Sequence, residues 1–246
     1  MRKLFHIIRH FAFQFANLSH TTSTGMRILI KSEMEWRIYN DVFVDGDYDE
    51  VILKLIAKTQ QKNYTILDLG FNVGFFTLRL VHLALAKSNH NNFRIQGIEA
   101  SEELIKESQQ RINSLDLSKD KFKIKLNRGL IGQVDGQGTF YHFKDHGLSS
   151  VFRKNGKAET IPFINISHLI SDWEQVDLLK CDIEGSEFEF IKNYPDILKK
   201  TNLAIFEFHT EFCHYEDCIK LITLSGLIQR QIIRRSSHSC IELFWR

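Results

Sequence analysis

The sequence is poor in the residues that interrupt or cross-link a fold. Its 246 residues include only 2 prolines and 13 glycines, so no proline- or glycine-rich linker divides the chain. The 4 cysteines form no CxxC pair, which argues against a disulfide framework and favours reduced thiols in a cytoplasmic protein. We therefore expect one α/β domain over residues 61–246, with an N-terminal helical or extended segment, 1–60, packed on it.

Long apolar runs and a strong excess of one charge are also absent. No stretch approaches the roughly 20 apolar residues of a membrane span, so no transmembrane segment is predicted. A formal net charge of +2 gives no reason to expect a nucleic-acid partner. Apolar side chains at helical spacing in residues 1 to about 20 predict a helix docked on the domain or on a second copy of the chain. A helix lying on a membrane surface is the alternative.

From Thr65 onward, short β-rich runs alternate with helical patterns, which is typical of a parallel sheet covered by helices on both faces. Two final runs, near 227–234 and 240–245, are joined by a short link and predict an antiparallel hairpin at one sheet edge. A further run at 139–143 predicts a strand or hairpin outside the alternation. The pattern thus indicates a Rossmann-like, mostly parallel, seven-stranded sheet.

The strongest local motif is Asp68-Leu69-Gly70-Phe71-Asn72-Val73-Gly74, between the first of these strands and a helix. Gly70 and Gly74 let the backbone turn sharply and approach a ligand, and Asn72 tolerates a left-handed conformation. A carboxylate at Asp68 would repel a pyrophosphate, but it suits a ligand with an ammonium and a sulfonium, such as S-adenosyl-L-methionine. The alternative is an ordinary strand-to-helix turn without a ligand.

Glu99 ends the next strand, 25 positions after Gly74. In Rossmann-type sites an acid about 20 residues beyond the glycine loop accepts hydrogen bonds from ribose hydroxyls. We predict this role for Glu99, with a capping or surface role as the alternative. Ser101, just beyond it, is predicted to cap the following helix.

Acidic residues cluster in Lys180-Cys181-Asp182-Ile183-Glu184-Gly185-Ser186-Glu187, at the end of a predicted strand. Ligands of open α/β sheets bind outside the carboxyl ends of the strands. We predict that Asp182, Glu184 and His209 face an acceptor, with His209 as a candidate proton acceptor. The alternative is that the acids only stabilise the first turn of a helix, where Ser186 and Glu189 could form a capping box.

A metal site is not predicted. Residues 208–214 contain histidine, glutamate and cysteine, but no second ligand pair is placed to close a tetrahedron around a metal ion.

Taken together, these motifs resemble the FkbM family of methyltransferases. The resemblance rests on residues 68–74, 97–99, 177–187 and 207–209, with further similarity at 36–41, 46–49 and 147–150. Phe71 stands where the family usually has a small residue. The resemblance implies a class I methyltransferase fold and S-adenosyl-L-methionine as cofactor, held by Asp68, Gly70, Asn72, Gly74 and Glu99. It also implies methylation of a hydroxyl on a small-molecule or glycan acceptor.

Two other functions are compatible with a Rossmann-like sheet. A nicotinamide-dependent oxidoreductase is disfavoured because G-x-G-x-x-G is absent and Asp68 is present. A non-catalytic scaffold is disfavoured because an acid stands at every expected position, although Phe71 keeps this alternative open. A nucleic-acid methyltransferase is not favoured, because the sequence shows neither a basic, aromatic-rich stripe nor an Asn/Asp-Pro-Pro-aromatic motif.

Overall fold

The computed structural model describes residues 18–57, 63–87, 91–142 and 156–246. Eleven strands lie in this part of the chain: β1 (Ser19–Thr21), β2 (Arg27–Leu29), β3 (Asn63–Leu69), β4 (Asn92–Glu99), β5 (Phe122–Arg128), β6 (Gln137–His142), β7 (Lys157–Pro162), β8 (Val176–Cys181), β9 (Thr201–His209), β10 (Gln229–Arg235) and β11 (Ser239–Trp245). Seven of them form one sheet in the order β10-β11-β9-β8-β3-β4-β5.

The five strands β9-β8-β3-β4-β5 are parallel, and β11 runs antiparallel between β9 and β10. The predicted Rossmann-like, mostly parallel sheet with a closing hairpin is therefore confirmed. The strand predicted at 139–143 is β6, which forms a separate antiparallel hairpin with β7. Another two-stranded sheet pairs β1 with β2.

The described helices are α1 (Glu33–Tyr39), a π-helical segment (Asn40–Asp45), α2 (Asp49–Ile56), α3 (Phe75–Ala86), α4 (Glu102–Asn113), α5 (Ile166–Leu169), α6 (Glu187–Asn193), α7 (Pro195–Lys199) and α8 (Tyr215–Leu224). Helix α3 follows β3 and α4 follows β4, so the alternation continues through the centre of the sheet. Because parallel strands end at the same edge, their terminal residues share one rim.

Three helix ends were predicted from capping residues, and the structure confirms two of them. The Ser101 hydroxyl accepts the amide hydrogen of Leu104 at 3.4 Å and caps α4, as predicted. Gly226, with φ of 93°, ends the turn after α8, also as predicted. The capping box at Ser186 is absent: its backbone is not extended and its side chain makes no capping hydrogen bond to α6. The Glu187 carboxylate accepts hydrogen bonds from backbone amides of this turn instead.

Three apolar clusters form the core. The first contains Val51, Ile52 and Leu55 of α2 together with side chains of α3 and β4. The second contains side chains of α6, α8, β8 and β9. A small third cluster, which includes Phe140 of β6, lies beside the β6–β7 hairpin.

Segment 34–48 is bound to the domain by a buried ion pair. A guanidinium nitrogen of Arg111 lies 3.0 Å from Glu35 Oε2, with both side chains about 5% exposed or less, and Arg111 also donates to the carbonyl oxygen of Val73. This pair connects α1 to α4 and to the glycine loop.

Residues 1–17 of the predicted N-terminal helix lie outside the described residues, as does the similarity at 147–150. The end of that prediction is wrong, because Ser19–Thr21 form strand β1, which pairs with β2. In the described part of the chain, no helix is long and apolar enough to cross a membrane.

Candidate active site

The glycine loop turns tightly where β3 ends. The amides of Gly70 and Phe71 both donate to the carbonyl oxygen of Ile98, at 3.1 and 2.9 Å, which binds the loop to β4. Gly70 and Asn72 have left-handed backbones, with φ of 74° and 50°. A Cβ added to Gly70 would lie 1.7 Å from the carbonyl oxygen of Asp182. Position 70 therefore requires glycine both for its conformation and for the close approach of another backbone.

Glu99 holds the same loop from β4. Its Oε2 accepts the amide hydrogen of Asn72 at 2.9 Å, and its Oε1 accepts that of Ser101 at 2.8 Å. Burial raises the pKa of Glu99, and the two backbone donors oppose this increase. Each oxygen retains a lone pair, so the predicted hydrogen bonds to ribose hydroxyls fit this geometry.

Asp68 lies behind the loop. It is fully buried, and its Oδ2 accepts the hydroxyl hydrogen of Thr77 at 2.8 Å. Burial raises the pKa of Asp68 to about 6, and the ammonium of Lys180, 3.7 Å from Oδ1, opposes this increase. The sequence predicts that Asp68 contacts the cofactor. In the structure its side chain supports the loop from beneath and lines neither of the two cavities described below.

Lys180, a buried residue of β8, connects the loop to the acidic end of that strand. Its Nζ donates to the carbonyl oxygen of Gly70 at 2.6 Å and lies 3.3 Å from Asp182 Oδ2. Desolvation opposes the charge, but the carboxylates of Asp182 and Asp68 raise the pKa of Lys180. Lys180 is therefore a cation, and it fixes the loop and Asp182 relative to each other.

The acidic turn, residues 182–187, joins β8 to α6. Glu184 and Gly185 have positive φ values of 52° and 109°. Glu187 is fully buried, and its Oε1 accepts the amide hydrogens of Ile183 at 3.3 Å and Gly185 at 3.1 Å. Glu187 therefore stabilises the turn, whereas Asp182 and Glu184 face the cavities.

His209, at the end of β9, lies between two carboxylates of this turn. Its Nδ1 is 2.9 Å from Glu187 Oε1, and its Nε2 is 3.4 Å from Glu184 Oε2. Burial disfavours the charged ring, but the hydrogen bond with Glu187 and the nearby negative charges raise the pKa of His209 to about 10. At neutral pH the ring is an imidazolium, which has no free lone pair to accept a proton.

Two further carboxyl groups in this region have raised pKa values. Burial raises the pKa of Glu184 to about 8, opposed by His209 and assisted by Asp182. Burial and the charge of Asp182 raise the pKa of Glu207 to about 7. Burial and repulsion between the carboxylates therefore disfavour full ionisation of this region, although His209 lies beside them.

These values predict that the ligand-free protein loses stability as the pH rises from about 5 to 8. Each of these two carboxyl groups has a folded-state pKa above its ordinary value of 4.5, so its stabilising contribution is complete below pH 4.5 and is lost as the pH rises through about 7 and about 8. The contribution of His209 acts in the same direction and is lost as the pH rises through about 10. Thermal unfolding between pH 5 and 8 measures the slope.

Glu184→Gln removes one of these titrating groups and should flatten the slope. Glu103→Gln, on the exposed face of α4, is the matched control and should keep the wild-type slope. Parallel slopes for Glu184→Gln and wild type would contradict the prediction.

Two cavities meet at the carboxyl ends of the strands. The first lies between the glycine loop, Glu99 and the β6–β7 hairpin. The second lies between the sheet and segment 34–48. Asn72, Asp182 and Glu184 line both, and we call these three residues the junction. The buried Oδ1 of Asn72 has no hydrogen-bond partner among the described residues.

The far end of the first cavity is apolar. Leu104 and Leu130 line it together with Phe140, which is 6% exposed and extends from β6. This wall suits a flat ring, whereas Glu99 and the loop supply polar groups.

An ion-pair clasp closes the second cavity on the side of segment 34–48. A guanidinium nitrogen of Arg234, on β10, lies 2.9 Å from Asp41 and 2.9 Å from Asp47. The two carboxylates raise the pKa of Arg234 against the effect of burial.

The structure brings most predicted residues to the cavities: Gly70, Asn72 and Glu99 line the first, Asp182 and Glu184 line both, and His209 lines the second. Gly74 caps α3 instead. Sequence reasoning missed Tyr48, Phe140, Lys180 and Arg234. Tyr48 and Lys180 had a signal, because they lie in the motifs at 46–49 and 180–187, and Phe140 lies in the predicted strand at 139–143.

Asp182, Glu184 and His209 also bring one potential metal-ligand atom each within 4.8 Å of one another. No metal site was predicted from the sequence, and this set of three residues was not considered there.

The fold and this site define the protein as an S-adenosylmethionine-dependent methyltransferase. The family model for the methyltransferase FkbM domain matches residues 68–226, which contain the glycine loop, Glu99, the acidic turn and His209. The chain belongs to the FkbM methyltransferase family.

Several solved structures are similar to the chain. Methyltransferase FkbM from Methylobacillus flagellatus KT is 15% identical, with a TM-score of 0.46, and the match covers 98% of this chain and 60% of that one. The METTL16 methyltransferase domain is 10% identical, with a TM-score of 0.47, and the match covers 98% of this chain and 90% of that one. MNMC2 from Aquifex aeolicus is 12% identical, with a TM-score of 0.47, and the match covers 99% of this chain and 77% of that one. No curated protein matches the chain.

Proposed function

We propose that this methyltransferase transfers a methyl group from S-adenosyl-L-methionine to a hydroxyl oxygen of a small-molecule or glycan acceptor. The observation that carries the proposal is the junction, where Asp182 and Glu184 line both cavities. A cofactor in the first cavity and an acceptor in the second would meet at these carboxylates. Positioning two reactants in this way removes much of the entropic barrier to transfer.

The residues of the first cavity fit this cofactor. The unpartnered Oδ1 of Asn72 can accept a hydrogen bond from a ligand N–H or O–H group. Glu99 retains acceptor capacity for ribose hydroxyls, and the apolar wall at Phe140 suits adenine. The carboxylates of the junction favour a sulfonium. When bound, S-adenosyl-L-methionine supplies an electrophilic methyl group.

On the acceptor side, Asp182 and Glu184 have different roles in the proposal. Asp182, fixed by Lys180 at 3.3 Å, orients the acceptor hydroxyl through a hydrogen bond. Glu184, whose pKa is raised to about 8, takes the proton at its carboxylate oxygen, because a pKa near the operating pH suits a general base. A cation nearby lowers this pKa and favours the ionised form. His209 then positions Glu184 instead of accepting the proton.

The proposal is tested in two steps. Calorimetry with S-adenosylhomocysteine measures cofactor binding, with NAD as the negative control. Incubation with a methyl-labelled donor and a panel of sugars, glycosides and phenols then identifies the acceptor. Binding of S-adenosylhomocysteine with transfer only to amines would overturn the assignment to oxygen, and no binding at saturation would overturn the cofactor.

Glu99→Gln is expected to weaken S-adenosylhomocysteine binding by about 1–3 kcal/mol, the scale of hydrogen bonds to a charged group. The amide would keep the size of the side chain but place an N–H donor against one of two backbone amides that now donate to Glu99. Calorimetry measures the effect, with Glu103→Gln as the matched control. Equal affinities of the two variants would remove Glu99 from the binding site.

A further inference from the structure

Tyr48 is a buried residue of the second cavity whose polar atom is not used by the fold. It is 6% exposed and lines the cavity together with Asp182 and Glu207. Among the described residues, no hydrogen-bond partner is found for its hydroxyl. The Tyr48 ring is buried, but its hydroxyl oxygen is accessible from the cavity, so a ligand there can reach it.

The surrounding structure holds the Tyr48 ring in place. Gly46, with φ of 72°, makes the turn that leads to it. The residues on either side are fixed by ion pairs, Asp47 with Arg234 at 2.9 Å and Asp49 with Arg79 at 2.5 Å. The ring packs edge-to-face on Phe76, with centroids 5.2 Å apart. The direction of the hydroxyl is therefore set before any ligand binds.

The environment also keeps this hydroxyl protonated. Burial raises the pKa of Tyr48 well above its ordinary value, and the carboxylates of Asp182 and Glu207 add to the increase. A neutral phenol retains its hydrogen and can donate it. The second cavity therefore presents a fixed donor beside the carboxylates, which are acceptors.

We propose that Tyr48 is an acceptor-binding residue, whose hydroxyl donates a hydrogen bond to a second oxygen of a polyhydroxylated acceptor while the reacting hydroxyl lies at Asp182. The assignment rests on the proposed function. A donor and an acceptor at fixed positions select a ligand with two suitably spaced oxygens. Tyr48 and segment 34–48 lie outside residues 68–226, so acceptor selection is assigned here to a part of the chain that the family model does not match.

Fluorine NMR of protein labelled with 3-fluorotyrosine tests this assignment directly. The chain has 6 tyrosines, and Tyr48→Phe identifies the Tyr48 resonance by its loss. The probes are methyl α-D-glucopyranoside, methyl α-D-mannopyranoside and methyl α-L-rhamnopyranoside, each added to protein saturated with S-adenosylhomocysteine. We expect at least one probe to shift the Tyr48 resonance in a saturable manner, with smaller shifts for the others.

The matched control is Tyr39→Phe, because Tyr39 stacks on Phe43 in the same segment and does not line the second cavity. Tyr48→Phe should weaken binding of the responding probe about three- to ten-fold, the range for one neutral hydrogen bond. Tyr39→Phe should change it less than two-fold. Once an acceptor has been identified, Tyr48→Phe should raise the KM for this acceptor by the same factor and leave kcat within two-fold.

The outcomes separate this proposal from the proposed function. If S-adenosylhomocysteine binds but no probe moves the Tyr48 resonance, or Tyr48→Phe binds the probe as tightly as wild type, the role of Tyr48 is overturned. If S-adenosylhomocysteine does not bind, the proposed function fails. A saturable Tyr48 shift in that case would still support a polyol site in the second cavity.

Discussion

Gly70→Ala is expected to abolish S-adenosylhomocysteine binding and to destabilise the fold by on the order of 4 kcal/mol, at the upper end of single-residue effects. A Cβ at this position would lie 1.7 Å from the carbonyl oxygen of Asp182, and neither backbone can move freely. The glycine loop is hydrogen-bonded to β4, and Lys180 fixes it to the acidic turn. Relief of the clash would therefore separate the loop from the turn and open the junction.

The control for Gly70→Ala is Gly25→Ala. Gly25 also has a left-handed backbone, with φ of 82°, but a Cβ there would meet nothing within 4 Å. This variant isolates the cost of the conformation, about 1–2 kcal/mol, and should bind S-adenosylhomocysteine as wild type does. Chemical denaturation and calorimetry measure both quantities. Similar losses in the two variants would show that conformation, and not the close approach to Asp182, decides the effect.

Glu184→Gln is expected to lower turnover by about 10²–10⁴-fold, the usual contribution of general base catalysis, and Asp182→Asn is expected to lower turnover through loss of the group that orients the acceptor. Glutamine cannot accept the proton, and asparagine loses the charge that Lys180 now pairs with at 3.3 Å. Affinity for S-adenosylhomocysteine should stay within a few-fold of wild type, because this thioether lacks the positive sulfonium that the two carboxylates favour. Single-turnover kinetics with the identified acceptor measures the chemical step.

Asp196→Asn is the control for Asp182→Asn: this aspartate of α7 has a side chain that is 87% exposed, and its substitution should leave turnover unchanged. His209→Ala should also lower turnover, through loss of the position of Glu184. If both junction variants keep wild-type turnover, the acidic turn is structural and the catalytic assignment fails.

The sheet was predictable from the sequence because its patterns are local. Strands such as Val176–Cys181 are short β-rich runs next to turn residues, and the helical patterns between them give the α/β alternation. The edge hairpin followed from two β-rich runs with a short link. The motifs at the strand ends were informative for the same reason, since parallel topology brings strand ends together whatever their separation in sequence.

The chemistry of single side chains was less predictable, because it depends on neighbours that are distant in sequence. His209 is an imidazolium since its two nitrogens face Glu187 and Glu184, and this could not be inferred from Glu207-Phe208-His209 alone. Asp68 lies at the end of its strand, as predicted, but its carboxylate contacts Thr77 and Lys180 and lines neither cavity. The failed cap at Ser186 has a similar cause, because Glu187 binds the amides of the turn.

The ion pair between Arg234 and Asp41 has a consequence for folding. It joins residues 193 positions apart, and contacts of such separation are costly to close during folding. The two residues lie on either side of residues 68–226 in the sequence, so we expect this contact to form late, after the intervening strands and helices have brought the two ends of the chain together.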